Sequence, residues 1–545
     1  MSGKTILLIS ILALGACLRL WQIDNNPPHL TPDEAALGYN AYSILQTGKD
    51  EYGVRLPLIF KSFGDYKPGL YIYSSIPFIW LFGLTEVAVR LPSALSGITA
   101  IYLLYLVVGK FFKNEKLSLI SAFLLAINPW SIHFSRSAWE VNLALSLSLA
   151  AIYFFLRALE KQNYLFLSAF FFGLSLLAYQ GAKLSSGLIF IILFVVYFRK
   201  ILKIKPKIIL GSAALGLVLI LPVILSFISG KTGRLAVFSV FSYPRPDDYL
   251  QAFLNQAEVN KNSPVYYLFY SEPLNFLRGI LGRYFNHFST RFLFFVGDWQ
   301  NVRHTPPYHG TMLLSDLLFI GLGLFAVLRK KFKPEHWFVL LWLFLSPLPA
   351  VLSRDEIHAV RSLQMLLPLV IIASLGVNYV LSHFRKLGLF VVVLLYLVSF
   401  IYFVDSEYVH LPEAQSKAWE YGYKQIVETV SPIQSDYAEI VVQQSYAQPY
   451  IYFLFFQKYP PQKLQSQHNF VENKYGDVGQ VFALDNIKFE PIDWSVRRGQ
   501  KGKLIVGDPI RIPTEDINSE EHRIISEIKY LDGSDAFRII EIKNE

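Results

Sequence analysis

Long apolar runs separated by short polar segments occupy the first 405 residues of the chain. Each run is long enough, with tilt and its flanking residues, to cross a hydrocarbon core of about 30 Å. The pattern therefore predicts an all-α polytopic membrane region. The eleven predicted membrane-spanning helices have the approximate bounds 5–23, 88–109, 117–134, 138–156, 164–180, 184–198, 208–228, 313–328, 336–352, 360–382 and 388–405.

The short loops between these runs predict the orientation. If the N-terminus is cytoplasmic, every short inside loop carries at least two basic residues, as the positive-inside rule requires. An odd number of spans then places the C-terminal region outside. We expect a multi-pass protein of the plasma (inner) membrane with an extracytoplasmic active site. The basic inside loops are 110–116, 157–161, 199–207, 329–333 and 385–386.

Composition agrees with a membrane protein. The chain has 545 residues, of which 53% are hydrophobic and only 17% charged, whereas soluble proteins carry about 25% charged residues. Such high hydrophobicity excludes disorder. The net charge of +9 lies mainly between apolar runs, so we expect no nucleic-acid partner. The single cysteine, Cys17, excludes a disulfide framework and a cysteine-based zinc cluster.

Three large segments are predicted to lie outside, namely the loops 24–87 and 229–312 and the tail 406–545. The predicted domains are therefore a membrane domain over 1–405 and an extracytoplasmic α/β domain over 406–545. In the tail we expect a helix over 413–430, short strands over 438–443 and 504–506, and a hairpin that turns at Asp532-Gly533. Nothing catalytic is apparent in the tail.

The first external loop contains the sequence Thr31-Pro32-Asp33-Glu34. Thr31 as N-cap and Glu34 three residues later form a capping box, so Glu34 has either this structural role or a functional one. Asp33 is not needed for the cap and is a plausible general base. Apolar residues at helical spacing over 37–45 favour a helix along the membrane surface.

Lys67 lies in the same loop, before Pro68 and Gly69, so we expect it on a fixed turn. It either snorkels to the interface or binds a phosphate. Arg136 and Glu140 are four residues apart, which also suits a simple ion pair within a helix.

Three further features lie in later external loops. Lys183 adds a cation at the mouth of the helices. Arg361 is expected within the start of an apolar helix, where a charge is costly and indicates function. His304 and His358 lie near carboxylates and are candidate ligands of a divalent metal ion, although loop histidines more often bind none.

In order along one membrane face, several of these motifs resemble membrane glycosyltransferases of the GT-C fold. The resemblance is to the bacterial branch similar to protein O-mannosyltransferases and to the lipid A aminoarabinose transferase. It extends over about residues 1–405. The motifs are Pro32-Asp33-Glu34, Asp65-Tyr66-Lys67-Pro68-Gly69, Asn128-Pro129-Trp130 with Arg136 and Glu140, and His358-Ala359 with Arg361.

This resemblance implies inverting transfer of a sugar from a polyprenyl-phosphate donor to a lipid, glycan or protein hydroxyl. Asp33 matches the family's general base, Glu140 its second acid and Lys67 its phosphate-binding lysine. The lipid A enzymes have an acid directly before that lysine, whereas Asp65 lies one position earlier. Its role toward a metal or the sugar, like that of Glu34, therefore stays open.

Charge on a departing lipid phosphate needs cations, which is the role expected for Lys67, Arg361, Lys183 and Arg136. No cofactor is certain, and a divalent metal ion is possible. The alternatives are a GT-C oligosaccharide ligase or oligosaccharyltransferase and a secondary transporter. A transporter is disfavoured because the chain shows no internal repeat and its charges cluster at one mouth.

Overall fold

The computed structural model describes residues 3–230, 239–241, 247–256, 258–329, 331–444, 448–467, 470–471 and 480–543. The apolar runs form helices that pack side by side, and each predicted run falls on one or more of them. The main helices of this region are Gly3–Leu20, Glu86–Phe112, Glu115–Ile127, Glu140–Ala158, Tyr164–Ala178, Ala182–Ile201, Pro206–Ile228, Leu314–Leu328, Pro334–Leu345 and Leu366–Asp405.

Length and hydropathy identify fewer crossings than the sequence pattern does. Among the described residues, six helices are long and apolar enough to span a membrane, or seven if one bent pair is a single span. Three shorter apolar helices, Leu70–Phe82, Tyr164–Ala178 and Leu314–Leu328, add to them. The chain is therefore a membrane protein, while the number of eleven spans stays a prediction.

The predicted run 117–134 is not one straight helix. It forms the helices Glu115–Ile127 and Pro129–Ser135, which are bent by 56° relative to each other. Pro129 lacks a backbone N–H and forces Asn128 out of the helical region, so the first helix ends there. The side chain of Asn128 then caps the second helix by accepting a hydrogen bond of 3.1 Å from Ser131 N.

The last two predicted runs form two antiparallel arms that join at Arg385, where the backbone has φ 45° and ψ −117°. Both arms pack on Phe319. The ring of Tyr396 stacks on Phe319 with centroids 5.2 Å apart. A Cβ atom on Gly376 would lie 1.9 Å from the Phe319 carbonyl oxygen. A reversal at Arg385 is therefore needed to bring both arms to one residue.

The first large loop is a folded unit. It contains the helix Pro32–Thr47, an antiparallel hairpin of the strands Ile59–Ser62 and Asp65–Pro68, and the unpredicted helix Leu70–Phe82. Protein rather than lipid covers the apolar residues of the first helix, and its placement along the membrane surface stays a prediction. Most of its residues are buried, because it packs between the membrane helices and the tail.

The second large loop carries short helices. Among its described residues these are Asp247–Gln256, the π-helical turns Tyr266–Tyr270 and Arg291–Phe295, Glu272–Asn286 and the 3₁₀ turn Val302–His304.

The tail contains a six-stranded mixed sheet. The hairpin at Asp532-Gly533 is confirmed, and the predicted strands over 438–443 and 504–506 are present as the two central parallel strands. In spatial order the strands are Ala483–Leu484, Ile487–Glu490, Glu439–Gln443, Lys503–Gly507, Asp535–Ile542 and His522–Lys529.

The expected tail helix over 413–430 is shorter than predicted. Helical structure continues from the membrane arm to Gln415, and a new helix begins only at Tyr423. Between them, Glu420 and Gly422 have positive φ values of 58° and 115°, which no α-helix can contain. The tail also contains the α-helices Pro449–Phe456, Pro461–Gln467 and Trp494–Arg497 and the 3₁₀ turns Ser431–Asp436 and Thr514–Asp516.

Candidate functional site

Asp33 and Lys67 form an ion pair at one end of the membrane helices. Asp33 is the second residue of the helix that begins at Pro32, and Lys67 lies on the second strand of the hairpin. Lys67 Nζ donates a hydrogen bond to Asp33 Oδ1. The Asp33 side chain is 46% exposed, whereas that of Lys67 is only 11% exposed. The structure thus brings together the predicted base and the predicted phosphate-binding cation.

Lys67 does not lie on the fixed turn expected from Pro68 and Gly69. It pairs with Phe60 within the hairpin and is therefore part of a strand. Because side chains alternate along a strand, Asp65 and Lys67 are placed on one face and Tyr66 on the other. Asp65 is two positions before Lys67, one position earlier than the acid of the lipid A enzymes. It therefore shares a strand face with Lys67.

The capping box at Thr31 and Glu34 is confirmed. Glu34 N donates to Thr31 Oγ1 at 3.2 Å, and Thr31 N donates to Glu34 Oε2 at 2.9 Å. Glu34 Oε1 accepts from Arg90 Nε at 3.1 Å and from Ala138 N at 2.8 Å. Both carboxylate oxygens are thus engaged inside the protein, so we assign Glu34 a structural role rather than the suggested contact with metal or sugar.

No sequence motif indicates a role for Arg90. Its guanidinium group is fully buried and also donates to the carbonyl oxygens of Ile23, Pro27 and His29. The side chain therefore ties the helix Glu86–Phe112 to the start of the first loop and to Glu34.

Glu51 is a buried acid behind Lys67. It accepts a hydrogen bond of 3.0 Å from Asn40 Nδ2, and its own N–H donates to Asn40 Oδ1 at 3.1 Å. Burial raises the pKa of Glu51 to about 8, although Asn40 and the charge of Lys67 oppose this. At neutral pH this acid is mainly protonated and adds little negative charge near Lys67.

The tail contributes Glu420 to the same region. Tyr452 Oη lies 3.0 Å from Glu420 Oε2, and Arg303 Nη1 lies 4.0 Å from Glu420 Oε1. Burial raises the pKa of Glu420 to about 7; Arg303 lowers it, and the negative charge of Asp33 raises it. No local motif marks Glu420 in the sequence, because its surroundings come from distant segments.

Asp298, His304 and His358 form a second group beside the first. His304 Nδ1 lies 2.8 Å from Asp298 Oδ2, and the rings of His304 and His358 are 4.9 Å apart. One ligand atom from each of the three residues lies within 4.8 Å of the others. A carboxylate with two imidazoles is a suitable donor set for Zn²⁺. The structure thus joins the two predicted histidines and adds Asp298.

Arg361 lies on the turn that carries His358. Its Nη1 donates to Asp355 Oδ2, and its side chain is 17% exposed. The expectation that Arg361 lies within a membrane helix is wrong, since the 3₁₀ turn begins at Leu363 and the helix at Leu366. Arg361 therefore lies in the turn before this helix.

Arg136 is held by groups of the first-loop start and of the segment after the last membrane arm. It is fully buried and donates to the carbonyl oxygens of Leu18 and Asn26 at 3.0 and 2.8 Å. Its guanidinium lies 4.6 Å from the Tyr408 ring centroid and 3.8 Å from Glu407 Oε1. These contacts indicate a structural clamp, so we do not retain Arg136 as a phosphate ligand.

Lys183 and Glu140 lie at the ends of two membrane helices. Lys183 Nζ donates to Gln180 Oε1 at 2.7 Å, and the charge of Asp65 acts on it. Glu140 is half-buried at the start of the helix Glu140–Ala158, and its charge acts on buried Tyr71, as does that of Glu34. Their predicted roles stay predictions.

Known proteins share this architecture. The sequence model described as "Dolichyl-phosphate-mannose-protein mannosyltransferase" matches residues 68–225, whereas no curated protein sequence matches the chain. The apo structure of ArnT from Cupriavidus metallidurans is 12% identical, with a TM-score of 0.57 over 99% of this chain and 98% of that chain. The same enzyme bound to undecaprenyl phosphate gives a TM-score of 0.52, with 12% identity and 98% coverage of each chain.

A third structure extends the comparison. The oligosaccharyltransferase of Archaeoglobus fulgidus tethered to an acceptor peptide is 12% identical, with a TM-score of 0.52 over 93% of this chain and 69% of that chain. At such identities the likeness establishes the fold. The resemblance that the motifs indicated is thus confirmed, and this chain has the GT-C fold of membrane glycosyltransferases.

Proposed function

We propose that the protein transfers a sugar from a polyprenyl-phosphate donor to a hydroxyl group at the outer face of the plasma membrane, with inversion at the anomeric carbon. The observation that carries the proposal is the ion pair of Asp33 and Lys67 in a GT-C fold. One side chain supplies a base for the acceptor and the other a cation for the leaving group. The acceptor is a lipid, glycan or protein hydroxyl.

Lys67 would hold the donor phosphate. Its side chain is nearly buried, so its charge is poorly screened and acts strongly on a phosphate that gains negative charge as the sugar leaves. Arg361 and Lys183 are further cations for the same anion. Because Lys67 is already paired with Asp33, the phosphate competes with Asp33 for this cation.

Asp33 would then act on the acceptor. The acceptor oxygen attacks the anomeric carbon, the bond from that carbon to the phosphate oxygen breaks, and the hydroxyl proton passes to Asp33. A single displacement of this kind inverts the anomeric centre and needs no covalent nucleophile. Glu140 is the family-matched second acid and would orient the acceptor or the sugar.

Asp298, His304 and His358 fit a divalent metal ion, preferably Zn²⁺. A bound ion would supply positive charge beside Arg303 at the edge of the site. Metal analysis of the purified protein tests this assignment. His304→Ala should lower the bound metal, whereas His383→Ala, at an exposed histidine, should not. Equal metal content in both variants would rule the assignment out.

Asp33→Asn tests the proposed chemistry. With a labelled polyprenyl-phosphate sugar and purified protein, this variant should lose about a hundredfold or more in transfer rate, the scale of a lost general base. Asp24→Asn is the matched control, because Asp24 is an exposed aspartate of the same loop. Near-normal transfer by Asp33→Asn would contradict the role of Asp33 as the general base.

Lys67→Ala tests the donor site separately. It should weaken donor binding by more than the 0 to about 1 kcal/mol expected for an exposed ion pair, because Lys67 is nearly buried. Lys49→Ala, at an exposed lysine of the same loop, should bind the donor as the wild type does. Equal donor affinity in the two variants would show that Lys67 does not bind the donor.

The same transfer assay distinguishes the proposed function from that of an oligosaccharyltransferase. One donor carries a single sugar and the other an oligosaccharide, and the proposal expects transfer from the first.

A further inference from the structure

An apolar groove lies between helices of the membrane region. Its walls are the helix Gly3–Leu20, the helix Glu115–Ile127 and the two arms that meet at Arg385. Its volume is about 660 Å³, within the range of about 300–1,000 Å³ that is typical of ligand sites. Charged residues line the groove only at one end, so most of its length suits an apolar chain.

The groove has a buried floor and exposed walls. Ile11 and Tyr396 on its floor are buried, whereas Leu7 and Val393 at its rim are about half exposed. The hydroxyl of Tyr396 donates to Asp316 Oδ1 at 2.7 Å, so this side chain adds no unpaired polar group to the floor. Because the walls are open and apolar, a ligand can enter the groove from the hydrocarbon of the membrane.

The length of the groove matches one leaflet of a bilayer. On its first helix the lining extends from Lys4 to Leu14, which is about 15 Å of α-helix. The hydrocarbon core of a membrane is about 30 Å thick, so the groove covers one half of it. The acyl chain of a phospholipid has this reach, whereas a polyprenyl chain is considerably longer and would extend past Leu14.

One end of the groove, the basic end, is lined by Lys4, Glu115 and Lys116. Lys4 Nζ donates to Glu115 Oε2, so this acid already has a counter-charge. Lys116 is exposed and forms no ion pair with any residue that the structure describes. A cation is therefore available beside the apolar walls.

The reversal at Arg385 lies at the same end. Leu381 and Leu389 both line the groove and flank Arg385 at equal distances along the chain, so the turn between the arms closes the groove. The other ends of the first helix and of the second arm are joined, because Tyr408 Oη donates to the Leu18 carbonyl oxygen. The turn at Arg385 is therefore placed at the basic end.

This turn adds two cations to the basic end. Arg385 and Lys386 are both exposed, and neither forms an ion pair within the described part of the chain. Together with Lys4 and Lys116 they face a single acid, Glu115. The end of the groove thus carries an excess of positive charge at the level where lipid headgroups lie.

We propose that this groove binds an anionic phospholipid, with one acyl chain along the apolar walls and the phosphate at the basic end. Basic pockets between membrane helices attract anionic headgroups in this way. The site is separate from that of the donor, because about 24 Å of helix lies between Lys4 and Leu20, from which the chain enters the loop of Lys67. The inference does not depend on the proposed sugar transfer.

Lipid titration tests the charge of the ligand. Delipidated protein in detergent is titrated with anionic phosphatidylglycerol or with zwitterionic phosphatidylcholine of the same chain length, and bound lipid is measured by native mass spectrometry. Since several cations act on the headgroup, phosphatidylglycerol should bind about tenfold more tightly or better. Equal affinity for the two lipids, or binding of neither, would overturn the inference.

Lys116→Gln combined with Lys386→Gln tests the basic end. Each lost cation should weaken phosphatidylglycerol binding about fivefold, so the double variant should lose about 25-fold. The matched control combines Lys113→Gln with Lys203→Gln, at two exposed lysines of basic loops that do not line the groove, and should bind as the wild type does. An equal loss in both double variants would show general attraction to the surface and contradict a site.

Val393→Trp tests the apolar part of the groove. The larger side chain would occupy the space of the acyl chain and leave the cations unchanged, so phosphatidylglycerol binding should be largely lost. Val398→Trp is the control, because Val398 is exposed on the same arm and lies outside the groove. Leu397→Trp, at another lining residue, replaces Val393→Trp if thermal unfolding shows that the latter is not folded. Wild-type binding by the folded variant would contradict the groove as the site.

Competition with undecaprenyl phosphate separates this lipid from a sugar donor. An equimolar amount should leave phosphatidylglycerol bound, because the polyprenyl chain is longer than the groove. Lys67→Ala, which alters only the proposed donor site, should also bind phosphatidylglycerol as the wild type does. Displacement by undecaprenyl phosphate would assign the groove to the donor lipid and overturn the inference.

Discussion

Glu34 and Arg90 show how a buried charge pair defines the start of the first-loop helix. Glu34 closes a capping box with Thr31 and also neutralises a guanidinium group that is 0% exposed. The local part of this arrangement is readable from the sequence, since the cap and its partner are three residues apart. Arg90 is 56 residues away from Glu34, and no local spacing indicates such a contact.

Glu34→Gln should therefore be much more harmful than capping alone suggests. Glutamine can still cap the helix, but it leaves the buried Arg90 without a counter-charge, which typically costs about 3–5 kcal/mol. We expect a clear fall in the thermal unfolding midpoint of the detergent-purified protein. Glu160→Gln is the control, because Glu160 pairs with Lys110 at the surface and its loss should cost 0 to about 1 kcal/mol. Equal midpoints in the two variants would contradict a structural role for Glu34.

At the same scale, Asp33 and Lys67 were predictable and Glu420 was not. The first two lie beside prolines in short motifs that resemble a family, and the structure places them in contact. Glu420 follows an ordinary helical pattern in sequence. Its buried surroundings arise from Arg303 and Tyr452, which belong to distant segments, so only the tertiary structure shows this environment.

The helix Pro32–Thr47 shows what an element's own sequence predicts and what its packing adds. Its start is determined by the capping box, and its end by Gly48, which has a positive φ of 68°. Its apolar residues do not show whether a membrane or a protein surface covers them. Tyr39 settles this question here, because its hydroxyl donates to the Tyr459 carbonyl oxygen in the tail at 2.9 Å.

Gly38 lies where this helix packs closely against Val89 and Phe455. A Cβ atom at Gly38 would lie 2.5 Å from Val89 Cγ2 and 2.6 Å from Phe455 Cε2. Gly38→Ala should therefore overpack the junction and destabilise the protein by about 1–3 kcal/mol, with easier proteolytic release of the tail. In Gly282→Ala the added methyl group meets open space, so the variant should be neutral or up to about 1 kcal/mol more stable. Wild-type stability in Gly38→Ala would contradict this close packing between the first-loop helix, Val89 and Phe455.

The reversal at Arg385 was predictable from charge rather than from turn residues. Arg385 and Lys386 interrupt an apolar stretch that is otherwise long enough for one extended helix, and the structure turns there. Both arms are helical up to Arg385, where the backbone leaves the helical conformation. The position of the reversal was therefore predicted by two neighbouring basic residues and not by helix propensity.

For the molecule as a whole, orientation determines whether the chemistry meets external acceptors. Asp33, Lys67 and the tail lie on one side, because the first-loop helix and the tail share one hydrophobic core. The basic loops belong to the other ends of the membrane helices, as Lys203 does after the helix Ala182–Ile201. The position of any one exposed residue relative to the membrane thus reports on the entire site.

Two cysteine variants test this orientation in a Cys17→Ser background. Ser519→Cys lies on the exposed surface of the tail, and Lys203→Cys lies in an exposed basic loop, so both thiols are accessible in the folded protein. If the basic loops are cytoplasmic, as the positive-inside rule predicts, a membrane-impermeant thiol reagent should label Ser519→Cys in intact cells and Lys203→Cys only after lysis. The Cys17→Ser parent should remain unlabelled. The opposite pattern would place Asp33 and Lys67 in the cytoplasm, and the proposed transfer would then have to use cytoplasmic acceptors.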